Sequence, residues 1–454
     1  MILGLASSNI SVRNPKFIYN CNKISMVQSF MYTATTNLVA AAYENDRISQ
    51  DQTETIRTII TALQMAMFVG IIFGIGLGAS STFFIKAILG KQNNIDMEVL
   101  NAAGKYVRIR ALGMPAAVLI GVAQSACLGM KDTLSPLLVM VAAALVNLLG
   151  DLIFVGLPGA WLGGAAGAAW ATVFSQYAAL VMSIKWLCSK PKESTNSKNT
   201  ITSRGILYNH FQMRDLFRMP KFMKIASKIS EYMVPVTTTA IGRVSGYVAM
   251  SHVVSCSFGT ADMAAQHIVL SFFLCFIPMC DSLNLTAQSL VPGIHEYSKD
   301  LRLRSLVMKE TVSNFMKAGG VFGLVLMGLV SLMPLVSHFF SRDAAVIASV
   351  NSTTPYLALF CAFAGVVCSG EGLLLARKDL GFLKNSFSAF FFAVPYFLLR
   401  LKSAILGGAK NIGLQNVWRI FAFYQVFRSG LWMLRLKVLS IRDDRAVNAT
   451  KLST

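Results

Sequence analysis

Few residues in this 454-residue chain are placed to do chemistry, and they stand out because their neighbours cannot. Asp281 lies inside the apolar run CFIPMCDSLNLTAQSL, with Gln288 on the same run, and Asp151 follows Asn147 by four positions in NLLGD. Arg243 interrupts an apolar stretch that begins near Glu231, and Glu371 closes a long uncharged segment. An ionisable group at bilayer depth costs at least ~2.5–3.5 kcal/mol on insertion scales, so its retention points to work such as proton exchange, ion coordination or the anchoring of a polar solute.

Each of these residues also has a plainer reading. Asp281 could bond nearby hydroxyls at a kink near Pro278. Asn147 and Asp151 share one helix face and could hydrogen-bond a neighbouring helix. Arg243 needs an acidic partner if buried; Asp281 is available, and anion binding is the alternative. Glu371 is either a coupling group or an interfacial charge beside Arg377 and Lys378. His252 and His267 read as packing residues, and Arg419 and Arg428 can snorkel to opposite interfaces from the last span. Pro115, Pro235, Pro278 and Pro395 fall inside predicted helices and predict kinks.

Enzyme chemistry finds no support. HEYSK lacks the second His of a zinc-protease motif, SGEG is not a nucleophile elbow, and the chain has no Walker loop through which ATP could act. No cofactor is expected beyond a coupling ion, H⁺ or Na⁺. The eight cysteines fall mostly in or beside apolar runs, Cys127, Cys256, Cys275, Cys280, Cys361 and Cys368 among them, and read as small packing residues.

The elements that position these residues follow from composition. The chain is 54% hydrophobic and 14% charged, whereas a soluble domain carries about 25% charged residues. Residues 58–85, 111–130, 152–184, 318–341 and 344–370 contain no Asp, Glu, Lys or Arg. Each run exceeds the roughly 18–20 residues that cross the hydrocarbon as a helix, and barrel strands would be shorter and alternating. The expected spans are 24–43, 58–86, 106–130, 134–156, 160–186, 229–256, 261–293, 314–340, 345–373, 381–400 and 411–434. The fold class is therefore all-α integral membrane, with about eleven transmembrane helices.

A net charge of +20 would suggest nucleic acid in a soluble protein; here the basic residues lie between spans, so topology accounts for them and no nucleic-acid partner is expected. The segment 185–228 carries ten Lys or Arg against two acids and is expected on the cytoplasmic or stromal side. Later loops alternate between basic and nearly uncharged, which supports six helices after it and five before.

Two matches point to an internal duplication. Leu38-Val39 with Glu44 answers Leu290-Val291 with Glu296 at an offset of 252. Gln124 with Lys131-Asp132 answers Glu371 with Lys378-Asp379 at an offset of 247. The matched positions lie six spans apart, so the halves share one orientation. The expected organisation is an N-terminal remnant at 1–23, an N-lobe at 24–186, a basic linker at 187–228, a C-lobe at 229–434 and a basic tail at 435–454. The partner of helix 229–256 would end near residue 6, so the first helix of the N-lobe is expected to be missing, with a truncated gene model the leading explanation. Asp281 and Asp151 map onto Ser29 and Leu398, so neither acid is duplicated.

Several stretches resemble the multidrug and toxic compound extrusion (MATE) family, and within it the DNA-damage-inducible F-like branch of bacteria and plastids. The likeness runs from about residue 26 to 434 and is carried by MVQSFMYTATTNLVAAAY, CLGMKDTLSPLLVMVAAALVNLLGDLIFV, FGTADMAAQHIV, SLNLTAQSLVP and GLQNVWRIFAFYQVFRSGLWML. It implies two six-helix lobes around a cleft open alternately to either face, and antiport of a small organic solute or xenobiotic against H⁺ or Na⁺. It also places NLLGD on the family's N-x-x-x-D motif. The lipid bilayer, the solute and the coupling cation are the expected partners of a monomer in the plastid envelope or the plasma membrane. The alternatives are a lipid-linked saccharide flippase of the same superfamily, for which Arg243 is thin support, and a non-transporting paralogue.

Overall fold

The computed structural model describes residues 29–79, 97–157, 163–190, 203–218, 223–297, 301–408 and 412–453. The expected N-terminal remnant, the end of the second span, the uncharged GLPGAW loop beyond Leu157 and the first part of the basic linker lie outside the described residues. By contacts the chain divides into two compact units, Met1–Met233 and Val234–Thr454.

In the first unit the helices are α1 (Ser29–Ser49), α2 (Thr53–Ala79), α3 (Met97–Leu112), α4 (Met114–Gly129), α5 (Leu134–Phe154), α6 (Gly164–Cys188) and the short α7 (Met223–Glu231). The second holds α8 (Met233–Ser257), α9 (Thr260–Tyr297), α10 (Leu301–Ser331), α11 (Met333–Phe340), α12 (Ala344–Ala376), α13 (Leu380–Leu406) and α14 (Leu414–Ser453). Seven of these are long and apolar enough to cross a membrane, and α3 with α4, bent by 48°, makes an eighth. Helices α1, α8 and α14 are long enough but more polar, because they carry Glu44, Arg243 and Arg428 toward their units' interiors. With them the described residues make eleven passages of an all-helical, multi-pass membrane protein.

The proline expectations resolve differently along the chain. Pro115 sits in the first turn of α4 at the 48° break, where its missing N–H costs no helical bond. Pro235 falls in the first turn of α8, beside the break from α7. Pro278 and Pro395 lie inside α9 and α13.

In the second unit α12 is the hub: 78% of its apolar window is buried, and it packs against α9, α10 and α14. Glycine permits the tightest crossing. A methyl group at Gly319 of α10 would stand 2.6 Å from the carbonyl oxygen of Gly365 and 2.6 Å from Ser369 Oγ on α12, so the two backbones touch, as small residues allow between membrane helices. Met250, Val269, Phe273, Leu357, Trp418 and Phe421 fill one core below this hub.

The duplication is visible in local geometry. Lys131 and Lys378, paired by the offset, both adopt left-handed backbone, with φ of 63° and 58°. In each turn the Lys N–H bonds back three residues, to Leu128 at 2.9 Å and to Leu375 at 3.0 Å. The following Asp N–H bonds back five, to Cys127 at 2.9 Å and to Leu374 at 3.0 Å. These are matching Schellman endings, with lysine where glycine is usual.

One expectation changes. The last span does not stop near 434: α14 continues through the basic tail to Ser453, held by Lys309 on Asp444 at 2.6 Å and Arg377 on Asp443 at 2.5 Å. The end of the basic linker packs onto the first unit: Ile206, Leu207 and Leu216 are buried, Leu207 N–H bonds to Leu187 O at 2.9 Å, and Gln64 Nε2 donates to Asp215 O at 3.0 Å.

Candidate functional site

The second unit brings one acid and two arginines together among its helices. Glu371, near the end of α12, is 2% exposed because α9, α10 and α14 pack around the hub helix that carries it. Arg428 on α14 contacts its Oε2 through Nη2, and Arg243 on α8 stands 3.5 Å from its Oε1. A backbone approach fixes this level: a methyl group at Gly372 would lie 2.6 Å from Asn284 O on α9, and Gln288 Nε2 donates to Asn284 Oδ1 at 2.8 Å.

Arg428 is held by rings as well as charge. Its guanidinium lies 5.0 Å from the Phe387 ring centre, 5.7 Å from Trp432 and 5.8 Å from Tyr424, within cation–π range. The expectation that Arg428 snorkels is corrected: its side chain is 7% exposed and turned inward. The signal was present in the sequence, since Trp418, Phe421, Gln425, Arg428 and Trp432 recur at helical spacing and all are buried, which places Arg428 on the core stripe of α14.

Asp281 occupies the same region of α9 but keeps looser company. It is half-buried, accepts a weak bond from Cys368 Sγ at 3.8 Å, and lies within electrostatic reach of Arg243, Glu371 and Arg428. Arg243 thus takes Glu371 as its direct partner, with Asp281 as a second, more distant acid. Glu371 is no interfacial charge; it is the centre of an Arg–Glu–Arg arrangement.

The first unit brings a different pair together. Asn147 and Asp151 share the α5 face toward α6, where Asn147 Nδ2 donates to Ser175 Oγ at 3.5 Å. Asp151 Oδ1 is buried without a hydrogen-bond partner among the described residues. Gln124 lines a small cavity with Cys127, Ser135, Ser183 and Trp186. The structure thus groups Arg243, Asp281, Gln288 and Glu371 in one unit, and Asn147, Asp151 and Gln124 in the other, with Gln124 on a separate helix.

Outside the spans, Asp132 organises the turn after α4. It accepts from the amides of Leu134 and Ser135 at 3.1 Å each and from the hydroxyls of Ser135 and Ser203. Partial burial pushes its carboxyl up, but these donors outweigh it and hold the pKa below the ordinary aspartate value. Nearby, Glu44 is 3% exposed and paired with Arg47 at 3.0 Å and Lys131 at 3.2 Å, a partnership the sequence reading did not anticipate.

Long apolar helices in two units, one helix of each closed by the same lysine turn, and charges paired among them define a multi-pass integral membrane protein. Comparison with known proteins makes the class specific. The MatE family model matches residues 21–153. Protein DETOXIFICATION 47, chloroplastic, of Arabidopsis thaliana is 28% identical over 96% of this chain and 73% of its own length. Protein DETOXIFICATION 44, chloroplastic, from the same plant is 24% identical over 92% of this chain and 72% of its own. Among solved structures, a MOP superfamily transporter from Pyrococcus furiosus shares the fold with a TM-score of 0.75 at 14% identity, covering 96% of this chain and 88% of that one. The outward-facing conformation of a multidrug resistance MATE family transporter shares it with a TM-score of 0.73 at 14% identity, covering 95% and 88%. The chain is similar to the MATE family, and these likenesses support the role of a transporter.

Proposed function

We propose that this chain exports a small organic solute in exchange for protons, by alternating access of its two lobes, and that Asp281 is the group that carries the proton. One observation supports this above the rest: Glu371 is already committed to two guanidinium groups, whereas Asp281, half-buried in the same cluster, has only a thiol as hydrogen-bond donor among the described residues. Glu371 with Arg243 and Arg428 carries one positive charge in excess. Ionised Asp281 cancels it, which a low-dielectric interior favours. Protonated Asp281 restores it, and the restored charge repels a cationic solute toward the exit. Thus the two protonation states of one carboxyl give the differential affinity that exchange requires.

Na⁺ fits this cluster less well, because it needs several hard oxygen ligands and would meet two guanidinium groups and a thiol. Asn147, Asp151, Gln124 and Gln288 are proposed as solute contacts. The chloroplastic relatives support the plastid envelope as the membrane.

The test is a proteoliposome assay with ethidium and fluorescein as cationic and anionic probes, under imposed pH or Na⁺ gradients. Asp281→Asn is expected to lower pH-driven flux at least tenfold. Asp151→Asn should raise the half-saturating probe concentration and preserve the pH dependence. Undiminished pH-driven flux in both variants would remove the assignment, and flux driven only by Na⁺ would overturn the choice of proton.

A further inference from the structure

At the basic end of the second unit a groove of about 320 Å³ opens between α10 and α14 over the end of α12, within the roughly 300–1,000 Å³ that ligand sites occupy. Its walls come from single helix faces. Val312 and Met316 line it from α10, and Met433 and Leu436 from α14. Arg377, at the end of α12, forms the floor with its side chain 6% exposed, while Lys309 and Lys437 stand at the rim.

The charges are not all spent internally. Arg377 pairs with Asp443 and Lys309 with Asp444, whereas exposed Lys437 has no carboxylate partner among the described residues. Segments 301–310, 377–379 and 435–445, which surround the groove, hold nine Lys or Arg against four Asp or Glu. Cations at the rim of an apolar trough, where membrane helices emerge from lipid, match a molecule with an anionic head and a hydrocarbon tail. Methionine walls suit an acyl chain, being flexible and polarizable. A soluble anion would use the rim and leave the trough empty.

We infer that this groove binds an anionic phospholipid, with its phosphodiester between Lys437 and Lys309 and one acyl chain along Met316 and Met433. Binding of this kind anchors the extended end of α14 against α10 at the membrane surface.

The experiment uses the full chain in neutral detergent, with bound lipid counted by native mass spectrometry during titration with dioleoylphosphatidylglycerol, dioleoylphosphatidylcholine or sodium phosphate. The wild type is expected to prefer phosphatidylglycerol at least fivefold. Lys437→Glu, which reverses the unpartnered rim charge, and Ser313→Trp, which fills the trough from an exposed position, should each weaken phosphatidylglycerol at least fivefold and leave phosphatidylcholine unchanged. Equal binding of the two lipids, wild-type affinity in both variants, or displacement of phosphatidylglycerol by an equal concentration of phosphate would each overturn the inference. The readout is binding alone, so it stands apart from the transport assay.

Discussion

Replacing Arg428 by leucine should leave Glu371 as a 2%-exposed carboxylate whose remaining cation, Arg243, stands at 3.5 Å. Removing one member of a buried pair costs about 3–5 kcal/mol, and because Arg243 still compensates in part, the loss should lie near the lower end. Glu371→Leu should cost at least as much, since it leaves two guanidinium groups facing one another with Asp281 as the nearest acid. The double variant removes one charge of each sign and leaves Arg243 with Asp281, so its cost should fall well below the sum of the two. The ring contacts of Arg428 are lost in the single and the double variant alike and cancel in the cycle, so the coupling reports the ion pair. We expect a coupling of at least ~2 kcal/mol, within the range for residues in contact. Unfolding in mixed micelles, followed by tryptophan fluorescence, measures it. Additivity within about 0.5 kcal/mol would refute the reasoning, because it would mean that Glu371 and Arg428 do not face one another in the folded lobe.

Three further outcomes follow from other parts of the molecule. Asp132→Asn should destabilise the first unit by about 0.5–2 kcal/mol, the worth of a helix-capping carboxylate, and because the folded pKa is depressed, the wild-type advantage should be full above the ordinary aspartate pKa and vanish as pH falls through the lowered folded value; thermal unfolding from pH 7 to pH 3 checks this, and a gap that widens on acidification would contradict it. Lys378→Gly should stabilise by about 1 kcal/mol, since glycine bears no penalty in left-handed backbone, and Lys131→Gly should gain less because it also loses the 3.2 Å contact with Glu44; chemical unfolding of the pair separates the two terms. Gly319→Leu should cost about 1–3 kcal/mol or more by overpacking the α10–α12 crossing, measured as a lowered unfolding midpoint in detergent.

What the sequence disclosed depended on the length scale of the signal. Uncharged runs long enough to span the hydrocarbon admit few folds, so the spans emerged with displaced ends, as at α14, whose basic tail continues the helix instead of leaving it, and with breaks inside two of them, at α3–α4 and α10–α11. The duplication was legible because Lys131-Asp132 and Lys378-Asp379 end their helices in the same left-handed turn, a local demand that side-chain divergence does not erase. The Arg–Glu–Arg arrangement was hidden because it joins three helices, α8, α12 and α14, whose rotations a single sequence does not state. Reading α14 for periodicity before charge would have placed Arg428 between Gln425 and Trp432 on one buried stripe.

The duplicated halves keep the same turns but not the same electrostatics, and the reason lies in what a buried charge demands. Glu371 is matched at the repeat offset by Gln124, whose cavity is lined among the described residues by Cys127, Ser135, Ser183, Trp186 and apolar side chains, without a cation. An acid at the first position would need cationic partners of the kind that Arg243 and Arg428 supply in the second half. Asp379 shows the same divergence on a smaller scale. Its counterpart Asp132 caps the following helix, whereas Asp379 makes no side-chain cap and is held by Arg435 at 2.6 and 3.1 Å. Arg243, Arg428 and Arg435 thus engage carboxylates, Glu371 and Asp379, that the first half either lacks or uses locally. Asp281 is the second acid of the cluster: Glu371 is in contact with both Arg243 and Arg428, whereas Asp281 stands farther from the two guanidinium groups and balances the one positive charge that the Arg–Glu–Arg arrangement leaves over.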